Sequence, residues 1–170
     1  MGQEQLSRQW HCEDRQALSD RRAVTGLACG AVGAMTVVAL YQVGVLAHLP
    51  DPPLGAFDSE RIVRSPEAYR LLSTPDAVLA MASYAVTAVL AGMGAPDRAR
   101  ERPWLPLALA CKVGFDVYQA AAHTVNQWTT FRAFCSWCLG PAVASLAMVP
   151  RIVPETRVAL STISSAAARR

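Results

Sequence analysis

The chain has 170 residues, of which 52% are apolar and only 17% charged, with a formal net charge of +3 and 5 cysteines. Mean hydropathy is only mildly positive, yet the apolar residues are gathered into long uncharged blocks, which counts against a soluble helical bundle, whose helices need a polar face. Nor does the small positive charge point to nucleic acid, because the arginines cluster at the ends of those blocks.

Residues 1–22 read as a polar cytoplasmic tail, with Trp10, His11 and Cys12 its only unusual side chains. The block that follows, 23–50, holds no Lys, Arg, Asp or Glu. It is longer than the apolar region of a cleavable signal, roughly 7 to 15 residues, and long enough for a bilayer core, which needs roughly 20. A first span over about 23–49 is predicted, stopped by Asp51-Pro52-Pro53 because proline lacks the amide donor and clashes with the preceding turn. In the loop that follows, Ser65-Pro66-Glu67 has the form of a helix start: a hydroxyl cap, a proline at the first position and an acid at the positive end of the dipole. Ala68, Leu71 and Leu72 then share a face, predicting a short amphipathic helix on the outer membrane surface.

A second span is predicted over 75–95, ended by Gly92-Met93-Gly94-Ala95-Pro96 and followed by a basic connector, 97–102. The third, 103–127, contains only Lys112 and Asp116 as charged residues, and Trp104 and Trp128 suit the two interfaces. A short outer turn, 128–132, with Thr129 or Thr130 as cap, leads into a fourth span over 130–150 and a cytoplasmic tail, 151–170, whose small-residue end, 161–170, is expected to be disordered or frayed. The expected fold is all-α: an integral membrane four-helix bundle, residues 23–150, with a short amphipathic helix in its first extracytoplasmic loop. Of the 15 arginines, 11 fall on the side of the termini and 4 on the other. Both termini are therefore expected in the cytoplasm.

Cys135-Ser136-Trp137-Cys138 carries the sharpest chemical signal. Two cysteines in the first turn of a helix place both sulfurs on one face within disulfide reach, and the unpaired amides there favour a thiolate. The expected topology puts this pair on the outer side, where disulfides form and persist. Half of a metal site, or two buried thiols, are the alternatives for a single CxxC, and neither a second CxxC nor a histidine cluster accompanies it. On the third span Lys112, Asp116, Gln119, His123 and Asn126 form one helical stripe. Ionisable residues inside a span mark a ligand or proton path, or, more plainly here, an i,i+4 ion pair of Lys112 with Asp116. Cys29 and Cys111 read as small apolar core residues, and Tyr41, Tyr84 and Tyr118 as packing or interface aromatics.

A four-helix core with a CxxC at the outer start of its last helix resembles the bacterial vitamin K epoxide reductase family. Ser65 stands ten residues before Pro75, as the family's loop serine stands before its second helix, and Pro75, Ala80 and Tyr84 match a Pro-x4-Gly-x3-Tyr pattern except for the glycine. The resemblance implies a membrane thiol–disulfide oxidoreductase of the bacterial inner membrane. Electrons would pass from an extracytoplasmic thioredoxin-like partner to Cys135, and Cys138 would reduce a quinone, ubiquinone or menaquinone. Ser65 would cap the quinone pocket, and His123 or Asn126 would hydrogen-bond the quinone oxygen or supply a proton. One departure is plain: the family's usual cysteine pair in the first outer loop is missing, since 51–65 contains no cysteine. Two other functions stay open on these residues: a non-enzymatic membrane subunit with a structural Cys135–Cys138 disulfide, and a metal-handling protein using Cys135, Cys138 and His123.

Overall fold

A computed structural model describes residues 3–69 and 74–169, with side chains from residue 15 onward. Its elements are helical: α1 (Gln3–Gln42), α2 (Ser59–Val63), α3 (Asp76–Gly92), α4 (Arg98–Glu101), α5 (Trp104–Asn126) and α6 (Ser136–Ala167). Among the described residues the only β pairing is an isolated parallel bridge between Phe57 and Phe134. Two helices, Arg15–Gln42 and Ser136–Ala167, are long and apolar enough to cross a membrane, and α3 is a shorter apolar helix.

The polar segment expected as a tail belongs to the same helix as the first apolar block, since no proline or glycine interrupts α1 before Gly26. The side chains of Trp10, His11 and Cys12 lie outside the described residues. After Gln42 the chain turns at Gly44, whose φ of +82° is a left-handed conformation that favours glycine. The predicted helix start at Ser65 is present as a single 3-10 turn, Pro66–Tyr69, and Leu71 and Leu72 lie outside the described residues. The sequence reading missed α2, which starts where the Asp58 carboxylate accepts the Arg61 amide.

At the other end of the chain, α6 runs on to Ala167, through most of the segment 161–170 that was expected to fray. Ile152, Glu155 and Ala159 pack the turns before it, whereas 161–167 is largely exposed and continues the helix with its serine and threonine hydroxyls bonded to carbonyls one turn back. Neither Thr129 nor Thr130 caps α6. The chain stays helical as a π turn, Gln127–Phe131, and leaves it through a left-handed Arg132, so the cap falls to Cys135.

Helix α1 lies against both α3 and α6, and α5 packs on α6, while α3 and α5 approach each other more loosely. One apolar cluster, around Val24, Ala28, Leu109, Val113 and Met148, fills the end near α4. A second, around Met35, Val38, Leu49, Ile62, Ala77 and Cys135, fills the end near the CxxC. Large apolar side chains such as Val86, Val89, Phe115, Val125, Val143 and Leu146 remain exposed, a band suited to lipid. Cys29 and Cys111 belong to this outer surface and not to the core, because they sit off the buried faces carried by Ala28 and Leu109.

The end near α4 is pinned by guanidinium groups. Arg21 donates to the carbonyls of Ala91, Gly92, Met93, Gly94 and Ala95 at 2.7–3.3 Å, filling acceptors that the end of α3 leaves unpaired. The Arg98 side chain is fully buried, donates to Leu90 and Met93 carbonyls, and forms a two-pronged pair with Glu155 at 2.6 and 2.7 Å. Removing one partner of a buried pair strands the other charge, whereas an exposed pair contributes little. Replacing Glu155 with Ala is therefore expected to cost roughly 3–5 kcal/mol of stability. Removing the half-exposed Arg151, paired at 2.9 Å with a buried Asp20, is expected to cost less, about 1–2 kcal/mol, because the carboxylate keeps Gln16 as a donor. Thermal unfolding of the detergent-solubilised variants measures the difference, and equal stability of the two would contradict it.

Candidate active site

Cys135 precedes α6 in extended conformation, and its Sγ accepts the Cys138 amide at 3.2 Å, the cap that brings the sulfurs together. The two cysteines are joined in a disulfide. They differ sharply in surroundings. Cys135 is fully buried in the apolar cluster of Met35, Val38, Leu49 and Ile62, whereas Cys138 is partly exposed and opens on a cavity of about 610 Å³.

The cover over Cys135 is the first loop. Asp51 is its anchor: the carboxylate accepts the Ser59 amide at 2.7 Å, the Ser59 hydroxyl at 2.6 Å and the Ser136 hydroxyl at 2.6 Å. The Ser136 amide in turn donates to Ser59 Oγ at 3.0 Å. Beside this clamp, Asp58 and Phe134 exchange backbone bonds with the facing segment, and the Trp137 indole donates to the Pro50 carbonyl at 3.0 Å. Burial pushes the Asp51 carboxyl up, but the hydrogen bonds from Ser136 and Ser59 outweigh it and hold the group below the ordinary carboxylate value. Thus the loop that lacks cysteines meets the CxxC through oxygen atoms. In this conformation the Cys135 sulfur is closed off, because the clamp lays the loop over it.

The cavity lies between α3, α5 and the first loop, where the looser approach of α3 and α5 leaves room. Its lining brings together residues far apart in sequence: Ser65 from the loop, Tyr84 from α3, His123 and Asn126 from α5, and Cys138 from α6. Its size falls within the range of about 300–1,000 Å³ that small-molecule pockets occupy, and its walls mix apolar side chains with polar ones that include Glu67, Asp116 and Gln119. Ser65, His123 and Asn126, singled out from the sequence, all line it. His123 has no hydrogen-bond partner among the described residues. Asn126 is more constrained: its Nδ2 donates to Glu67 at 2.8 Å and its Oδ1 accepts from Thr130 at 3.1 Å, tying the loop to α5 at the cavity rim.

Deeper in the cavity wall, Lys112 and Asp116 form the i,i+4 ion pair, at 2.5 Å, that the spacing offered as the plainer reading. Asp116 also accepts from Ser83 at 3.0 Å and Thr87 at 2.6 Å, both on α3. Tyr84 does more than pack: its hydroxyl lies 2.9 Å from Ser145 Oγ and donates to the Pro141 carbonyl at 3.3 Å, linking α3 to the turn after the CxxC. Two participants escaped the sequence reading altogether. In the sequence Asp51 stands only as a helix stop before two prolines, and Gln127, whose Oε1 accepts the Cys135 amide at 3.0 Å, falls four residues after His123 and eleven after Asp116, on the face of that same stripe. Among the described residues no group of three or more His, Cys, Asp or Glu gathers as metal ligands.

Residues 22–152 match the family described as the Vitamin K epoxide reductase family. No curated protein and no solved structure matches the chain.

The clamp has a measurable consequence. A carboxyl held below its unfolded value contributes closure that is complete above that value and is lost as pH falls through the lowered one. Reduction of the Cys135–Cys138 disulfide by a water-soluble phosphine is expected to be slow and level from pH 7 to about 4.5, and to accelerate below about pH 4 as Asp51 protonates. Asp51→Ala is expected to be faster by about 10- to 100-fold at neutral pH, the worth of one charge-assisted hydrogen bond at about 1.5–3 kcal/mol. Asp51→Asn, which keeps one acceptor, falls between. Parent-like rates in both variants, followed by alkylation of the released thiols, would show that Asp51 does not hold the cover.

Proposed function

The chain belongs to the vitamin K epoxide reductase family, whose members are membrane thiol–disulfide oxidoreductases, and from that premise we propose that it carries electrons from an extracytoplasmic dithiol protein through Cys135 and Cys138 to a membrane quinone. The observation that carries this reading is the asymmetry of the CxxC. One sulfur opens on a cavity of small-molecule size, and the other lies under a loop held by hydrogen bonds.

The site sits on a bundle of four helices, α1, α3, α5 and α6. α3 and α5 are shorter or carry an internal ion pair, and their exposed faces are apolar enough to complete a four-span arrangement beside the two longer helices. The arginine distribution favours an inner bacterial membrane with both termini in the cytoplasm and the CxxC outside.

In the first half-reaction a partner thiolate attacks Cys135 Sγ once the Asp51 clamp has opened, forming a mixed disulfide and releasing Cys138 as thiolate into the cavity. The partner's second thiol attacks its own sulfur in that bond, leaving as a disulfide and returning Cys135 as a thiol. In the second half-reaction the dithiol gives two electrons and two protons to the quinone, which becomes quinol as the Cys135–Cys138 bond reforms. Cys138 faces the quinone, and His123 is the cavity side chain suited to pass a proton to a ring oxygen. Ser65 and the 3-10 turn after it close the cavity from the loop side, with Glu67 and Asn126 as the latch. An oxygen-based loop means that the partner must reach Cys135 without a loop disulfide as intermediary.

Purified protein in lipid vesicles, supplied anaerobically with a dithiol and a short-chain quinone, is expected to form quinol. Cys135→Ser and Cys138→Ser are each expected to abolish it. His123→Ala is expected to slow it about 10²-fold, the scale of general acid catalysis, and His123→Gln to recover part of the rate. Quinol formation at the parent rate in the cysteine variants would overturn the proposed path.

A further inference from the structure

Gln127 occupies the π turn that ends α5, a form of helix that recurs at functional sites. Its neighbours Asn126 and Trp128 are exposed, but Gln127 is turned inward and is 6% exposed. The contact it makes there is unusual. Its side chain accepts the backbone N–H of Cys135 at 3.0 Å, and it also lines the cavity on which Cys138 opens.

Because a backbone N–H can only donate, the atom facing Cys135 must be the side-chain oxygen, and this fixes the orientation of the amide. The NH₂ group then lies on the other branch. No acceptor among the described residues takes its protons, so an unpaired NH₂ borders the cavity on a side chain that is otherwise nine-tenths buried. Such a donor is satisfied only by what enters the cavity, water or ligand. A quinone carbonyl is an acceptor only, with no proton of its own, and it is the complement of such a group.

We propose that Gln127 binds one quinone carbonyl through Nε2 while its Oε1 holds the Cys135 amide, so that a single side chain sets the ring against the CxxC. The inference rests on reading the cavity as the quinone site and adds the residue that orients the ring within it. As the carbonyl gains electron density during reduction, the same N–H bond strengthens, so Gln127 favours the reduced ring as well as placing it. His123 retains the proton-transfer role, and Gln127 gives up no proton.

Two substitutions separate the two bonds. Gln127→Met removes both, and Gln127→Glu keeps an oxygen for the Cys135 amide while removing the NH₂. Each is assayed in vesicles for the KM and kcat of quinone reduction, and separately, without quinone, for the rate at which a dithiol reduces the Cys135–Cys138 disulfide. Both variants are expected to raise the quinone KM about tenfold, the effect of one lost hydrogen bond. Gln127→Met, which also frees the Cys135 amide, is expected to change the dithiol rate about tenfold, and Gln127→Glu to change it less, because it keeps an acceptor for that amide. A parent-like KM in either variant, with the parent protein active, would overturn the role of Gln127 alone. A parent protein that forms no quinol would overturn the quinone reading and this inference with it.

Discussion

The Asp51 carboxylate is the constraint on which the site depends. Its two oxygens collect three donors from two elements, α2 and the start of α6. That contact fixes the first loop on the CxxC, beside the Phe57–Phe134 bridge, the Ser136 amide bond to Ser59, the Trp137 indole and the packing of Leu49 and Ile62. Everything asymmetric about the disulfide follows. With the loop closed, Cys135 is sealed in an apolar cluster, and Cys138 is left with the cavity as its open side. A CxxC on a bare helix terminus would expose both sulfurs to the same solvent, and thiols and quinone would compete for them. Here the two sulfurs face different sides of the site, and access to one of them is governed by a carboxylate.

The cavity exists because two helices fail to pack. α1 contacts α3 and α6 along their lengths, and α5 leans on α6, but α3 and α5 meet chiefly through the Lys112–Asp116–Ser83–Thr87 cluster. Polar groups at that depth need partners inside the protein, and they find them across the gap, so the cluster serves as a strut that holds α3 and α5 together below the cavity. The arginine network near α4 does the corresponding work at the end away from the cavity. Arg21 and Arg98 pair the carbonyls that Gly92 and Gly94 leave free as α3 terminates, and Glu155 neutralises the one that is wholly buried. Charge thus holds the bundle at mid-length and at its α4 end, and the cavity opens on the other side of the cluster, toward the CxxC.

Much of this was legible in the sequence because helical periodicity translates directly into shared faces. His123 and Asn126 fall on one stripe of α5, and the structure places that stripe along the cavity. The CxxC at a helix start was equally readable, since its spacing alone brings the sulfurs within reach of each other. What could not be read was the part made by irregular backbone. Gln127 lies on the same stripe, four residues after His123, but its spacing does not show that it reaches the Cys135 amide, and the loop that carries Asp51 folds back over α6 through contacts distant in sequence. Composition misled in two places. The small residues of 161–170 suggested a frayed tail, yet the helix runs on to Ala167, and the thiols of Cys29 and Cys111 face outward although cysteine is commonly a core residue.

The central claim is that the Cys135–Cys138 bond is a working redox couple drained by quinone, and its resting state in membranes tests this most directly. Membranes from cells unable to make quinone would be quenched in acid and the free thiols at these two positions counted by alkylation and mass, before and after a quinone is restored. The account predicts that the pair accumulates as dithiol without quinone and returns to the disulfide when quinone is added. A pair that remains oxidised in both conditions would mark it as a fixed structural disulfide and contradict the account.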